Sequence, residues 1–126
     1  PDYKAEEVKD VWMFNVNPDY PIIAVTWHQA MDYCRYYGKR LPTEAEWEHA
    51  ARGGLGDVKF PWGDQEPEEK SYTPCNIWQG DFPNINTCAD GYQRTAPARS
   101  FEPNTYGLFN MVGNVWEWTS DAYHVQ

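Results

Sequence analysis

Two segments of the sequence are rich in side chains that offer oxygen atoms to a metal ion. In the first, Asn76 opens the stretch 76–80, and Asp90 follows after a turn-rich loop. In the second, Asn110 and Glu117 lie on either side of a Gly-Asn pair. Calcium takes about six to eight oxygens from carboxylates, amide side chains and backbone carbonyls. The segments are therefore candidate calcium sites, although neither follows the EF-hand pattern, and residue type and spacing alone favour the alternative that these residues only form turns.

The three cysteines are an odd number, so at least one has no partner within the chain. Cys75 directly precedes Asn76, and Cys88 lies two residues before Asp90. If Asn76 and Asp90 bind one ion, the two cysteines are close together, and a disulfide would close a loop of about 14 residues and contribute about 3 kcal/mol. Two free thiols are an equally open alternative. Cys34 is expected on the core face of a helix, as a small buried side chain or as half of a bridge to a cysteine outside this sequence.

Other chemistries find little support. The three histidines are scattered, and there is no glycine-rich phosphate loop, no HExxH motif and no Ser-His-Asp order. The chain carries 10 Lys plus Arg against 19 Asp plus Glu, a formal net charge of -9, which disfavours nucleic acid and acidic membrane surfaces as partners. No run of apolar residues exceeds four, so the sequence contains no membrane span.

Two helices are expected to position the loops. The spacing of apolar residues predicts the first helix over residues 27–37. Thr26 suits the N-cap, Gln29 completes a capping box, and Gly38 stands where a left-handed residue is needed after the helix. The residues at helical spacing that should face the core are Ala30, Met31, Cys34 and Tyr37.

The second helix is predicted to begin after Pro42, with Thr43 and Glu46 as its capping box, and to end at Gly53 and Gly54. Its apolar side consists of Ala45, Trp47, Ala50 and Ala51. Beyond it, short aromatic runs alternate with turn residues, and only residues 114–118 look like a strand. Seven Trp in a chain that is 17% aromatic suggest large side chains that support irregular loops. The sequence therefore predicts a small α+β domain with low regular secondary structure.

Six blocks, in this order and at this spacing, resemble the formylglycine-generating enzyme (sulfatase-modifying factor) family. They are residues 38–48, 60–63, 76–83, 95–97, 104–108 and 113–118. The first and last blocks also occur in relatives such as hercynine oxygenases. The block at 76–83 and the following Asp90-Gly91-Tyr92 are narrower, and they point to the sulfatase-modifying branch, which includes the active oxidase and a paralogue without activity. The resemblance implies a fold related to C-type lectins.

The resemblance also implies two calcium sites, which fall on the two oxygen-rich segments. In the family pattern, the first site uses the side chains of Asn76 and Asp90 and the backbone carbonyls of Ile77 and Tyr92. The second site falls on Asn110, Gly113, Val115 and Glu117. Carboxylate, amide and carbonyl oxygens are the ligands that calcium prefers.

The family's oxidase converts a cysteine in a sulfatase motif to formylglycine with molecular oxygen, and two cysteines beyond the last block hold its catalytic copper. The resemblance implies that none of Cys34, Cys75 and Cys88 belongs to this pair, and that Cys34 matches a structural cysteine whose partner lies further on. Residues 1–126 are accordingly expected to be a partial sulfatase-modifying-factor domain, without the N-terminal part and the C-terminal catalytic segment.

Two functions are consistent with this resemblance. The parent protein is expected to be a copper-dependent oxidase that acts on an unfolded sulfatase peptide. The alternative is a catalytically inactive paralogue that serves as a calcium-stabilised binding or structural subunit beside other protein subunits. Calcium sites and a disulfide would fit the endoplasmic reticulum lumen, the periplasm or a secreted protein.

Overall fold

The computed structural model describes residues 17–68 and 71–122. Over these residues the helices are α1 (Trp27–Tyr36) and α2 (Glu44–Arg52). Two isolated antiparallel bridges join Phe60 to Gly63 and Glu68 to Tyr72. The remainder of the described chain consists of turns, bends and irregular loops. The expected low content of regular structure is therefore confirmed, whereas the relation to C-type lectins stays a prediction.

The strand expected at residues 114–118 is wrong, because the described residues contain no strand there or elsewhere. Gly113 and Asn114 have left-handed φ angles of 77° and 63°, which turn the chain out of an extended path. The Asn114 N–H donates to the Asn76 carbonyl at 2.8 Å, and the Ser120 N–H donates to the Pro42 carbonyl at 2.8 Å. These are single bonds to separate loops, so no repeating strand pair forms.

Helix α1 begins as its sequence predicts. The Thr26 side chain accepts the Gln29 N–H, and the Gln29 side chain accepts the Thr26 N–H at 2.8 Å, which completes the capping box. The helix ends at Tyr36, one residue earlier than expected. Gly38 takes a φ of +66°, and the Lys39 N–H reaches back to the Cys34 carbonyl at 2.8 Å. These features form the Schellman motif in which a left-handed glycine ends a helix.

The core face of α1 is only half-buried. Ala30, Met31 and Cys34 are partly covered, as expected for that face, but Tyr37 is 58% exposed and its assignment to the core is wrong. Tyr37 follows the last helical residue, and its ring packs against those of Tyr33 and Tyr36 at centroid distances of 5.0 and 5.1 Å. The helical spacing therefore no longer applies where the chain leaves the helix.

Helix α2 combines a capping box with an exposed ion pair. The Thr43 side chain accepts the Glu46 N–H, and Glu46 in turn accepts the Thr43 N–H at 2.9 Å. Arg40 also donates to both oxygens of Glu46, at 2.6 and 2.7 Å. On the expected apolar side, Ala51 is buried, Trp47 and Ala50 are partly covered, and Ala45 in the first turn is exposed.

The far end of α2 is held by a distant loop. Gly53 follows the helix with a φ of +57°. The Asn104 Nδ2 donates to the carbonyls of Ala50 at 2.7 Å and Ala51 at 3.3 Å, two of the groups that lack partners within a helix. A Cβ at Gly53 would lie 3.1 Å from the Asn104 side chain, so glycine provides both the turn and the space.

Buried apolar residues are few among those described. They are Leu41, Ala51, Cys75 and Ala96, and the buried polar residues are Asn76, Gln79 and Asp90. Several indole N–H groups instead tie loops together: Trp27 donates to the Thr119 carbonyl at 2.8 Å, and Trp118 donates to the Val25 carbonyl at 3.0 Å. Neither described helix has the length and apolarity that spanning a bilayer requires.

The ion pair at the start of α2 predicts a pH dependence. Hydrogen bonding to Arg40 is the main reason why the pKa of Glu46 falls from 4.5 to about 2. A carboxylate with a lowered pKa stabilises the fold above pH 4.5, and this contribution is lost as the pH falls from about 4.5 to about 2. Because the pair is exposed, its contribution to stability is small and screened by salt.

We expect Arg40→Gln to raise the pKa of Glu46 toward 4.5 and to reduce this acid dependence, as NMR titration of the Glu46 carboxyl would show. Arg52→Gln is the control, since it removes an exposed pair with Glu48 on the same helix and leaves Arg40 in place. A Glu46 titration near 4.5 in the unsubstituted chain would contradict the prediction.

Candidate metal centre

The structure brings the first predicted set of ligands together around one carboxylate. The Asp90 Oδ2 accepts the Ile77 N–H at 3.1 Å, and its Oδ1 accepts the Tyr92 N–H at 2.9 Å. The Asp90 N–H donates to the Gln79 Oε1 at 2.7 Å. Asp90 is only 9% exposed, and Asn76 is 8% exposed. A buried carboxylate with two backbone donors is thus fixed beside the peptide units of Ile77 and Tyr92.

The amide of Asn76 is oriented by its nitrogen. Its Nδ2 donates to the Arg94 carbonyl at 2.7 Å and to the Asn114 Oδ1 at 3.2 Å. Because the nitrogen makes both bonds, the Oδ1 is the atom of this amide suited to a cation. The side-chain oxygens of Asn76 and Asp90, with nearby carbonyls, form the mixed oxygen set that calcium takes.

The second predicted set occupies two adjoining cavities. Gly113, Val115 and Glu117 line a cleft of about 620 Å³. Asn110 lines a neighbouring cavity of about 370 Å³, which shares Met111 and Val112 with the cleft. Three of the four residues therefore face one cleft, and Asn110 lies at its boundary.

Asn110 and Glu117 differ in their hydrogen bonding. The Asn110 Nδ2 donates to the Pro97 carbonyl at 3.2 Å, but its Oδ1 is buried without a hydrogen-bond partner among the described residues. A buried acceptor left unpaired costs about 1–3 kcal/mol, which a bound cation would offset. The exposed Glu117 carboxylate accepts the Trp47 indole N–H at 2.9 Å through Oε2 and keeps its other oxygen for a ligand.

The chemistry of the donors limits the kind of metal. No group of three or more His, Cys, Asp or Glu side chains is placed to hold an ion within residues 17–68 and 71–122. Each candidate set contains one carboxylate, and its other members are amide and carbonyl oxygens. Such neutral oxygens suit a hard cation, whereas zinc sites are usually built from histidine and cysteine.

Asn114 joins the two sets, although its residue type and spacing did not mark it as a ligand. Its N–H donates to the Asn76 carbonyl at 2.8 Å, and its Oδ1 accepts the Ala96 N–H at 2.7 Å. Its Nδ2 donates to the Ala96 carbonyl at 3.1 Å. Gln79, whose Oε1 accepts the Asp90 N–H, was likewise not predicted as part of the site. The signal for Asn114 was its place after Gly113, where asparagine tolerates a left-handed backbone.

The cysteines are free thiols in the structure, so the bridge between Cys75 and Cys88 does not form. Cys88 has a left-handed φ of 52°, and its Sγ lies 3.6 Å from the Asn86 carbonyl within its own loop. Cys75 is buried, and burial together with the charge of Asp90 raises the pKa of its thiol to about 11. Cys34 is half-buried on α1.

Comparison with known proteins gives one consistent family. Residues 3–126 match the family described as the sulfatase-modifying factor enzyme 1-like domain. The chain is 55% identical over 109 residues to a formylglycine-generating enzyme of Bos taurus, which covers 86% of the chain and 29% of the relative. It is 54% identical over 106 residues to a formylglycine-generating enzyme of Streptomyces coelicolor, which covers 84% and 33%. It is also 46% identical over 106 residues to the inactive C-alpha-formylglycine-generating enzyme 2 of Bos taurus, which covers 83% and 34%.

The architecture defines a domain class in which loops, and not a sheet or a helix bundle, build the site. More particularly, the chain belongs to the sulfatase-modifying factor enzyme 1-like family. It spans about a third of the length of these curated relatives, between 29% and 34%.

The close contact between Gly113 and Asn76 predicts that alanine lowers stability more at Gly113 than at Gly107. Gly113 and Gly107 both have a φ of +77°. A Cβ at Gly107 would meet nothing within 4 Å, whereas a Cβ at Gly113 would overlap the Asn76 carbonyl oxygen and lie 3.2 Å from the Ile77 side chain. Gly107→Ala should cost about 1–2 kcal/mol for the left-handed backbone.

Gly113→Ala should carry the same backbone cost and about 1–3 kcal/mol more for the overlap. Urea denaturation of both variants measures the two free energies of unfolding. Equal losses of stability would show that Gly113 and Asn76 are not in close contact.

Proposed function

We propose that this chain is part of a formylglycine-generating oxidase and provides its scaffold and calcium loops. The observation that carries the proposal is the high identity to relatives named formylglycine-generating enzyme: those from Bos taurus, Mus musculus and Streptomyces coelicolor are 54–56% identical to the chain. Relatives named inactive are 45–46% identical, and a formylglycine-generating enzyme of Mycobacterium tuberculosis is 46% identical, so the higher values favour the oxidase and the lower values fit both functions. The substrate would be a cysteine in an unfolded sulfatase peptide, which becomes formylglycine.

Two calcium ions are the metals proposed for this part of the protein. The first would be held by Asn76 and Asp90 side chains with the carbonyls of Ile77 and Tyr92. The second would be held by Asn110, Gly113, Val115 and Glu117. The buried unpaired Oδ1 of Asn110 and the clamped carboxylate of Asp90 support both assignments. Calcium would pin irregular loops in place and would not take part in the oxidation.

Copper is the other metal that the family implies, and the described residues do not fit it. Copper(I) prefers soft thiolate ligands. The family's two copper-binding cysteines follow the block at residues 113–118, and none of Cys34, Cys75 and Cys88 matches them. We therefore derive no step of the oxidation from these residues.

The compartment is proposed on calcium alone. Calcium-rich compartments fit it, namely the endoplasmic reticulum lumen, the periplasm or the cell exterior, whereas the free thiols of Cys75 and Cys88 do not call for an oxidising one.

An inactive paralogue that serves as a calcium-stabilised subunit of a larger complex is the second function. The relatives named inactive favour it, at the lower identity given above.

Turnover separates the two functions. We expect the full-length protein that contains this chain, loaded with copper, to generate an aldehyde on a synthetic peptide with a sulfatase-type cysteine motif. Capture of the aldehyde by an alkoxyamine and mass spectrometry provide the measurement, and the same peptide with serine in place of cysteine is the control. An unreacted cysteine peptide after exposure to oxygen would favour the inactive subunit.

Calcium binding has its own prediction, which does not depend on turnover. A ligand that binds only the folded state at about 100 times its Kd adds about 2.7 kcal/mol to stability. We expect calcium to raise the melting temperature of the chain, and Asp90→Asn to abolish the part of this rise due to the first site. Asp57→Asn removes the same charge from an exposed loop position and should leave the rise intact. Identical melting curves with calcium and with chelator would refute the proposed sites.

A further inference from the structure

We propose that Asn114 is a positioning residue that couples the two calcium sites, so that an ion at one raises the affinity of the other. The proposal rests on the calcium binding proposed above and adds its regulation. Three features support it: the peptide unit between Asn76 and Ile77, the hydrogen bonds of the Asn114 side chain, and the close approach of Gly113 to the Asn76 carbonyl.

The peptide unit between Asn76 and Ile77 is held from both sites at once. Its carbonyl oxygen accepts the Asn114 N–H at 2.8 Å, from within the second set. Its N–H donates to the Asp90 Oδ2 at 3.1 Å, in the first set. Rotation of this single peptide unit would therefore disturb a carboxylate ligand of one site and the backbone of the other.

The Asn114 side chain fixes the ligand amide of the first site. Its Oδ1 accepts the Asn76 Nδ2 at 3.2 Å and the Ala96 N–H at 2.7 Å, and its Nδ2 donates to the Ala96 carbonyl at 3.1 Å. Asn114 stands between Gly113 and Val115, two members of the second set. The orientation of Asn114 therefore fixes both the Asn76 amide in the first set and the peptide units of Gly113 and Val115 in the second.

Close packing at the junction leaves little independent movement. A Cβ at Gly113 would overlap the Asn76 carbonyl oxygen, so the two backbones already lie in contact. An ion that orders one segment would also restrict the other, and the second ion would then bind with a smaller loss of conformational entropy. Coupling of this kind is reciprocal, and each ion should strengthen the other by the same factor.

Calcium isotherms of the full chain test the coupling, with a chromophoric chelator as competitor. In the unsubstituted chain, we expect an ion at either site to raise the affinity of the other site by about 5- to 150-fold, the usual range for coupled sites. Asp90→Asn and Glu117→Gln each remove one site. Each should weaken the remaining site by the same factor.

Asn114→Gly isolates the side chain, since glycine keeps the left-handed φ of 63° and the backbone N–H. We expect two ions still to bind, with the coupling factor reduced toward one. Asn104→Ala is the matched control, because it also removes an amide that bonds to the backbone, at the end of α2. It should lower stability and leave the coupling factor unchanged.

Hydrogen exchange provides a readout if Asn114→Gly fails to fold. In Glu117→Gln, calcium at the first site should slow exchange of the Asn114 N–H, whose acceptor is the Asn76 carbonyl. Unchanged exchange, or two independent ions in the unsubstituted chain, would overturn the coupling and leave calcium binding intact. No calcium binding at all would overturn the proposed sites as well.

Discussion

The buried carboxylate of Asp90 is the interaction on which the loops of this domain depend. The carboxylate accepts the N–H groups of Ile77 and Tyr92, and the backbone N–H of Asp90 donates to the Gln79 side chain. No large side chain is fully buried in the described residues, so apolar packing does not fix these loops by itself. Each buried polar group left unpaired would cost about 1–3 kcal/mol, and few loop arrangements satisfy Asn76, Gln79 and Asp90 together. Hydrogen bonding of the buried polar groups therefore fixes the loop conformation, a role that a large apolar core has in other domains.

Local signals made the helices predictable, and distant contacts decided the rest. The capping boxes at Thr26 and Thr43 involve residues three apart, and both formed as the sequence indicated. The role of Asn114 depends on Asn76 and Ala96, which lie 38 and 18 residues away in sequence. No periodic pattern in the sequence predicts a hydrogen-bond partner at such a distance. The false strand at 114–118 has the same origin, since Val115, Trp116 and Trp118 are residue types that suit a strand, while Gly113 and Asn114 take left-handed turns.

The oxygen-rich segments were predicted from residue type, and only the three-dimensional contacts distinguish their members. Asp90 collects its neighbours through backbone bonds, as a turn-forming aspartate also does. Among the described residues, the buried side-chain oxygens without a hydrogen-bond partner are the Oδ1 of Asn110 and the Oγ1 of Thr95, and only Asn110 belongs to a predicted ligand set. Cys75 and Cys88 lie next to Asn76 and near Asp90 in sequence but form no bridge, and the thiol of Cys88 points to the Asn86 carbonyl in its own loop.

The net charge of -9 contributes less to the proposed calcium sites than it first suggests, because each set contains one carboxylate. Calcium affinity rises with the number of charged ligands and with the rigidity of the site. Sites of low ligand charge that lack rigidity belong with extracellular modules, whose Kd values are about 10⁻⁴–10⁻³ M. If the proposed sites bind calcium, rigidity is the property that would increase their affinity, and the contact between Gly113 and the Asn76 carbonyl would supply it. A junction that stiffens both loops together would raise affinity without an added negative charge, and would avoid the repulsion that a second carboxylate would bring to an already acidic chain.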